Sequence, residues 1–414
     1  MKEFIHEDFL LKGSVARRLY HGIAEGLPII DFHNHIDARD LADDRTFDNI
    51  TGVWIANDPY KHRAMRIAGV PERLITGDAT DRERFDAWAA TVPQTLGNPL
   101  FHWTALELKR YFGISELLSP ESADHIWEKC NAMLHADGYS ARGLIARANV
   151  ECLCTSDRPA DDLGAHARLA RSDFGSRVLP SLRVDDLTAP DRVTMVATMD
   201  AFDKMGCRLA DHAILGFESE TLQFFGREYA RRNWIMQLHI GARRQTSTRL
   251  RGLAGPAGGY ATIGNSCDIP RLCGFLDELE REGCLPRTVL YPVNPADYEA
   301  LATLTGSFAE DGVRGKIQLG PAWWYNDHAL GIRHHLDALA NHGLLSTFIG
   351  MTTDSRSPLS MVRHEYFRRV LCDWLGERVE RGEMPEDERM VDDLVRGIAL
   401  GNAREWVLGA GAGG

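Results

Sequence analysis

Short apolar runs, each closing on polar residues, recur along the chain at positions 27–32, 151–156, 177–184, 206–212, 234–240, 288–293, 315–320 and 346–353. Runs this short, bounded by polar or turn-forming residues, read as buried strands. Helix-length amphipathic stretches lie between most of them, at 189–204, 269–282, 295–305 and 331–342 among others. Strand and helix patterns in alternation predict a parallel sheet with helical crossovers. Eight repeats predict an α/β protein closed as a (β/α)8 barrel of the TIM type. The interval between the first and second strands, about residues 45–148, is far too long for one crossover. It contains helical patterns at 81–90 and 120–134, and is expected to form a helical insertion over the barrel mouth. A helical stretch over about 359–406 is expected to complete the outside. Residues 1–408 are thus expected to form one domain, and the glycine-rich residues 409–414 a flexible tail.

Composition narrows the function classes. The chain has 414 residues and a net charge of -12, with 44% hydrophobic residues. The hydrophobic share supports a large core. An acidic chain lacks the basic footprint of a non-specific nucleic-acid binder and is unsuited to an anionic membrane surface. The eight cysteines are scattered with no C-x-x-C pair. That spacing argues against a structural zinc ribbon and for reduced thiols in a cytoplasmic protein. The charged start of the chain lacks the apolar core of a signal peptide, and no run approaches the ~18 apolar residues of a membrane span.

The first strand runs into Asp31-Phe32-His33-Asn34-His35. Side chains alternate faces along a strand, so Asp31, His33 and His35 are expected to point the same way, and two imidazoles two residues apart can share a cation. The last apolar run ends in Thr352-Thr353-Asp354-Ser355-Arg356. A His-x-His on a first strand and an aspartate on a last strand frame the site of a metal-dependent barrel enzyme of the hydrolase kind. His33, His35 and Asp354 are therefore the expected ligands, with an open position suited to zinc or another divalent ion. His239 is either a fourth ligand or a pocket residue. Asp211 and His212 are either a proton relay or a polar cap on the fourth strand. That strand carries no lysine of the kind that bridges two metals when carbamylated, so one metal is expected. Arg183, Arg356 and the run Arg243-Arg244-Gln245-Thr246-Ser247-Thr248-Arg249 follow strand ends and suit an anionic substrate. Trp323 and Trp324 either wall a sugar pocket or pack.

The blocks around these residues resemble the uronate (glucuronate) isomerase family of the amidohydrolase superfamily. The resemblance rests on Asp31-Phe32-His33-Asn34-His35, the stretch from Tyr60 to Arg66, the stretch from Trp103 to Leu108, and the stretch from Gln237 to Ala242. It continues through the stretch from Leu319 to Asp327, Gly350-Met351-Thr352-Thr353-Asp354-Ser355-Arg356-Ser357, and the stretch from Arg363 to Arg369. It covers nearly the whole chain. The resemblance implies interconversion of aldo- and ketouronates with one divalent metal, expected to be zinc, on His33, His35 and Asp354. It implies that Tyr60, Arg183 and Arg356 contact or polarise the substrate and that His239 and Trp323 line the pocket. Taken with the reading of the strand ends, Asp354, Tyr60, Arg356 and His239 are the expected catalytic residues, and Arg183, Trp323, Trp324, Asp211 and His212 the expected substrate contacts. A small uronate substrate and a homo-oligomer are implied partners. Two departures stand out: Pro59 precedes Tyr60 where the family commonly has histidine, and the stretch between His212 and Trp234 is shorter than usual. A metal-dependent hydrolase of a lactone or amide is the alternative that the ligand set allows, and the missing lysine and the arginines weigh against it.

Overall fold

The computed structural model describes residues 3–184, 191–214, 216–217 and 219–409. Its strands are β1 (Ile29–Asp31), β2 (Val150–Cys154), β3 (Arg177–Leu179), β4 (Leu182–Arg183), β5 (Leu209–Ile214), β6 (Ile235–Ile240), β7 (Ala242–Arg243), β8 (Thr262–Ile263), β9 (Thr288–Pro292) and β10 (Ile317–Leu319). Parallel pairing joins β1-β2-β3 and β4-β5-β6-β9-β10. The antiparallel β7–β8 pair, which the sequence patterns did not indicate, stands outside both sheets.

The third apolar run is one extended segment that Pro180 and Ser181 divide into β3 and β4, because proline offers no ladder donor. The segment after β2 stitches the halves together. Thr155 N–H donates to Leu179 O, Asp157 N–H to Ser181 O, and Arg183 N–H to Asp157 O. The strand positions therefore follow chain order around the barrel. Parallel strands covered on both faces need apolar residues on both, which explains the near-continuous apolar runs. Ile30, Cys154, Leu209, Ile235, Val289 and Ile349 fill one side. Ala210, Met236, Leu238 and Leu290 pack into the larger core with the helices.

The eighth run departs from expectation. Residues 346–353 make no strand ladder; a short 3-10 turn, Leu345–Thr347, leads into extended chain. This segment still takes the eighth position, held by other bonds. Gln318 Nε2 donates to Thr347 O on the β10 side. On the β1 side Asp354 N–H donates to His33 O and His35 N–H to Ser355 O.

Seven helices lie between β1 and β2: Ala38–Ala42, Ile50–Trp54, Pro59–Ile67, Asp81–Thr91, Pro99–Phe112, Ala123–Leu134 and Ala141–Arg147. Their ends obey capping chemistry. Thr80 and Glu83 form a reciprocal capping box, Asn98 caps a helix with Pro99 in its first turn, and Gly113 ends that helix at φ 61°. The insertion reaches the exit of the eighth segment, where Ser357 Oγ donates to Val53 O at 2.6 Å and Tyr111 OH to Pro358 O at 2.7 Å.

The helices expected elsewhere are Arg192–Lys204, Ile269–Arg281, Tyr298–Leu304 after a 3-10 turn, and Ala329–His342. Residues 189–190 of the first, and 410–414 of the expected tail, lie outside the described residues. The C-terminal stretch forms Val362–Glu380, Glu388–Arg396 and Asn402–Leu408. Among the described residues, no helix is long and apolar enough to cross a membrane.

Gly350, at φ 79°, lets the eighth segment turn toward the mouth, and a Cβ there would sit 2.2 Å from Ile398 O. Gly350→Ala is expected to destabilise the protein by more than about 1 kcal/mol, since both the backbone conformation and the space oppose it. A lowered urea midpoint checks this; an unchanged one contradicts it.

Candidate metal centre and active site

His33 and His35 follow β1 directly and converge on one carboxylate. His33 Nε2 lies 3.4 Å and His35 Nε2 3.0 Å from Asp354 Oδ1. Asp354 adopts φ 50°, a left-handed conformation uncommon for a non-glycine residue and found where a functional side chain must be aimed. His33 also belongs to a second group with Asp211 and His239. The two groups share His33, so all five residues form one cluster at the strand exits.

Period-two geometry explains which neighbours join it. On β5 and β6, Asp211 pairs with Gln237 and Ala213 with His239, so Asp211 and His239 share a face. Asp211 Oδ2 lies 3.3 Å from Arg183 and 3.9 Å from His239 Nδ1. His212 points the opposite way. Its Nδ1 meets Val184 O and its Nε2 lies 2.8 Å from Tyr229 OH on the crossover helix Glu220–Arg231. The expected substrate contact of His212 is therefore corrected: alternation within the strand turns it to the helical layer. Asp31 does not face the cluster either, because β1 ends there. Its carboxylate accepts from Thr352 Oγ1 at 2.6 Å, Thr353 N–H at 2.9 Å and Thr353 Oγ1 at 2.5 Å.

The electrostatics suit a cation. Both ring nitrogens of His33 and of His239, and Asp211 Oδ2, are buried without a hydrogen-bond partner. Buried polar atoms normally find partners, and a bound ion is one accepted reason for the exceptions. The unpartnered nitrogens of His33 and His239, beside the carboxylates of Asp211 and Asp354, fit a divalent ion with nitrogen and oxygen donors. Burial alone would raise the Asp354 carboxyl, yet the His33 and His35 imidazoles beside it hold it well below the usual range. Burial opposes charge on His33, but Asp354 and Asp211 outweigh it and raise that imidazole. Burial, and His33 and Arg183 nearby, hold His239 well below an ordinary histidine. His239 is thus neutral and able to donate a lone pair.

Around the cluster the remaining expected residues gather. Trp323 stacks on His239 with ring centres 4.5 Å apart and donates from Nε1 to Pro292 O. Trp324 stacks on Tyr325 and receives Arg244 over its face at 5.5 Å. A cavity is lined by His35, Arg183, His239, Arg244, Trp323 and Arg356. A second cavity runs under the insertion and shares Tyr60, Asp354 and Arg356 with the first.

Tyr60 arrives on helix Pro59–Ile67. Asp58 caps this helix by accepting from Tyr60 N–H and Lys61 N–H. Pro59 sits in the first turn, where a missing N–H costs nothing. The loop carrying Gly259 also crosses so close that a Cβ there would lie 2.3 Å from Pro59 O. The proline thus serves as the start of the helix that delivers Tyr60. Beneath it lies a buried charge cluster, with Lys61 Nζ 2.6 Å from Asp58 and 3.6 Å from Glu107. Burial works against the Asp58 charge, but Lys61 and Arg363 bring its carboxyl down to about 2.

The sequence patterns did not single out Asp327, Arg363 or Arg244. Tyr60 OH lies 3.2 Å from Asp327 Oδ2, which pairs with Arg363 at 3.5 Å. Arg244 was present only within its arginine-rich run, and Asp327 only as the end of the block that holds the two tryptophans.

Fold and cluster together define an α/β barrel whose strand exits bring histidines, carboxylates and arginines together beside one cavity, with groups that could hold a metal ion. The sequence model of the glucuronate isomerase family matches residues 1–197 and 191–407, and the chain belongs to that family. It is 42% identical to a uronate isomerase of Bacillus licheniformis, with 98% of each chain covered. A uronate isomerase of Caldanaerobacter subterraneus is 40% identical, covering 98% of this chain and 100% of the relative. Among solved structures, the uronate isomerase of Thermotoga maritima superposes with a TM-score of 0.90 at 30% identity, over 98% of this chain and 100% of that one. The glucuronate isomerase of Caulobacter crescentus reaches the same TM-score at 22% identity, over 98% and 97% of the two chains, and there shows the shared fold.

Asp31 anchors the segment that carries Asp354. Asp31→Asn is therefore expected to weaken divalent-metal affinity by about 10–100-fold, the usual effect of losing a partner behind the ligands. Competition with a chromogenic chelator measures it; unchanged affinity would show that Asp31 does not hold the ligand segment.

Proposed function

We propose that the protein interconverts aldouronates and ketouronates, D-glucuronate with D-fructuronate and D-galacturonate with D-tagaturonate. The observation that carries the reading is the meeting of His33, His35 and Asp354 beside an arginine-lined cavity, in a chain of the glucuronate isomerase family. His33, His35 and Asp354 would hold one divalent ion, which we take to be zinc from its histidine and carboxylate donors. When bound, the ion supplies Lewis-acid polarisation of the reacting oxygens.

The chain's own residues do the rest. Aldose-to-ketose conversion moves a proton from C2 to C1 through an enediol. Asp354, ionised and at the junction of both cavities, is the group placed to take the C2 proton and return it to C1. Arg356 and Arg183 offset the negative charge that develops on the substrate oxygens, a contribution that grows in a site shielded from water. Tyr60 handles the hydroxyl proton. His239, neutral and stacked on Trp323, shapes the wall, and Trp324 with Arg244 forms the outer rim. Asp211 fixes Arg183. The eight free cysteines accord with a cytoplasmic setting, and exposed apolar residues such as Ile67, Leu96 and Leu330 offer contacts for a homo-oligomer.

An NMR time course of the zinc-loaded protein with each aldouronate tests the reading. Ketouronate signals should appear and should fall by at least about 100-fold in rate in Asp354→Asn. No conversion by metal-loaded protein would overturn the assignment. In D2O, label entering C1 supports proton transfer, whereas its complete absence points to a hydride shift. Elemental analysis should find one ion per chain; two tightly bound ions would contradict the single centre.

A further inference from the structure

Tyr60 is half-buried and lines both cavities, whereas Asp327 lines neither. The carboxylate of Asp327 is 3% exposed and meets the cavity through Tyr60. Arg363, 2% exposed, pairs with Asp327 at 3.5 Å and donates to Thr353 O at 3.3 Å, one residue before Asp354. Its guanidinium also covers the rings of Tyr60 at 4.8 Å and Trp103 at 4.2 Å. One cation therefore ties the tyrosine of the insertion, the carboxylate behind it and the ligand segment into a single assembly.

A tyrosine hydroxyl has one proton to donate and lone pairs to accept with, whereas an ionised carboxylate only accepts. We propose that Asp327 is a positioning residue: it claims the hydroxyl proton of Tyr60 and so leaves the phenolic lone pairs facing the cavity, set to accept a proton from a substrate hydroxyl. Burial brings the Asp327 carboxyl up to about 6 against the opposing pull of Arg363, so it is ionised at neutral pH yet close to the range in which it can take a proton. The inference rests on the isomerase reading for its role in turnover. During that turnover Tyr60 Oη takes the proton of the C2 hydroxyl as its own proton passes to Asp327. Both protons then return in reverse order, one of them to the C1 oxygen. Each O–H bond broken is matched by one formed, and no further reactant is consumed.

The test is a double-mutant cycle on metal-loaded protein, with Tyr60→Phe, Asp327→Asn and the pair. Asp327→Asn should lower kcat by about 10–100-fold with little change in KM. It should add nothing in the Tyr60→Phe background. Equal losses in both backgrounds, or a wild-type kcat in the single variant, would overturn the proposal. A second readout needs no turnover. In protein labelled with [13Cζ]tyrosine, the signal missing from Tyr60→Phe should move in Asp327→Asn while the other tyrosine signals stay; an unmoved signal also overturns it. Wild-type protein without uronate turnover would count against the isomerase reading, and the tyrosine signal would still decide the role of Asp327. If Asp327→Asn does not fold, Asp327→Glu keeps the charge opposite Arg363 and shifts the acceptor, and the same criteria apply.

Discussion

A single buried carboxylate, Asp31, takes the place of a strand ladder at the closure of the barrel. Burying a charge is costly unless hydrogen bonds satisfy it. Here two threonine hydroxyls and one backbone N–H do so. Burial alone would raise the Asp31 carboxyl, but His364 nearby and the threonine hydroxyls more than offset it and keep the group ionised. The arrangement reaches the ligands directly. Thr352 Oγ1, which donates to Asp31, also accepts from His33 N–H at 2.8 Å. Asp354 N–H in turn bonds to His33 O, and His35 N–H to Ser355 O. Two segments more than three hundred residues apart are thus fastened backbone to backbone at the point where their side chains must meet.

The insertion supplies what the barrel lacks. Its packing brings Tyr60 to the rim, and a buried group of Asp58, Lys61 and Glu107 fixes the helix that carries it. Isolated buried pairs seldom add much stability, because desolvation offsets their attraction. Their effect here is geometric. Lys61 holds the capping residue of the helix, and Glu107 accepts from Trp54 Nε1 at 2.5 Å, so the start of the helix is set from two sides.

Charge is divided sharply between the molecule and its site. The chain carries a net charge of -12, yet Arg183, Arg244 and Arg356 line one cavity. A local cluster of guanidinium groups in a shielded cleft can outweigh a distant field of opposite sign, so an acidic protein can still receive an acidic sugar. Asp354 lines the same cavity and the buried Asp211 lies 3.3 Å from Arg183, so two carboxylates balance those arginines.

Much of this was legible along the chain because barrel strands are buried on both faces and show up as apolar runs. The His-x-His after the first of them, and Asp354 after the last, announced this cluster by type and spacing. The sequence by itself determined the order of elements, the long insertion, the meeting of His33 and His35 with Asp354, and the family. Other features depended on direction in space. A strand pattern does not reveal where pairing stops, so it aligned Asp31 with the two histidines, although β1 ends at Asp31 and the carboxylate turns to the eighth segment. It also grouped Asp211 with His212, which alternation sends to opposite faces. Only the tertiary structure decided that the eighth position is held by a carboxylate instead of a ladder, and that Asp327 and Arg363 stand behind Tyr60. The physical reason is that these contacts join residues far apart in the chain, whose periodicity records burial but not the partner that each buried group will meet.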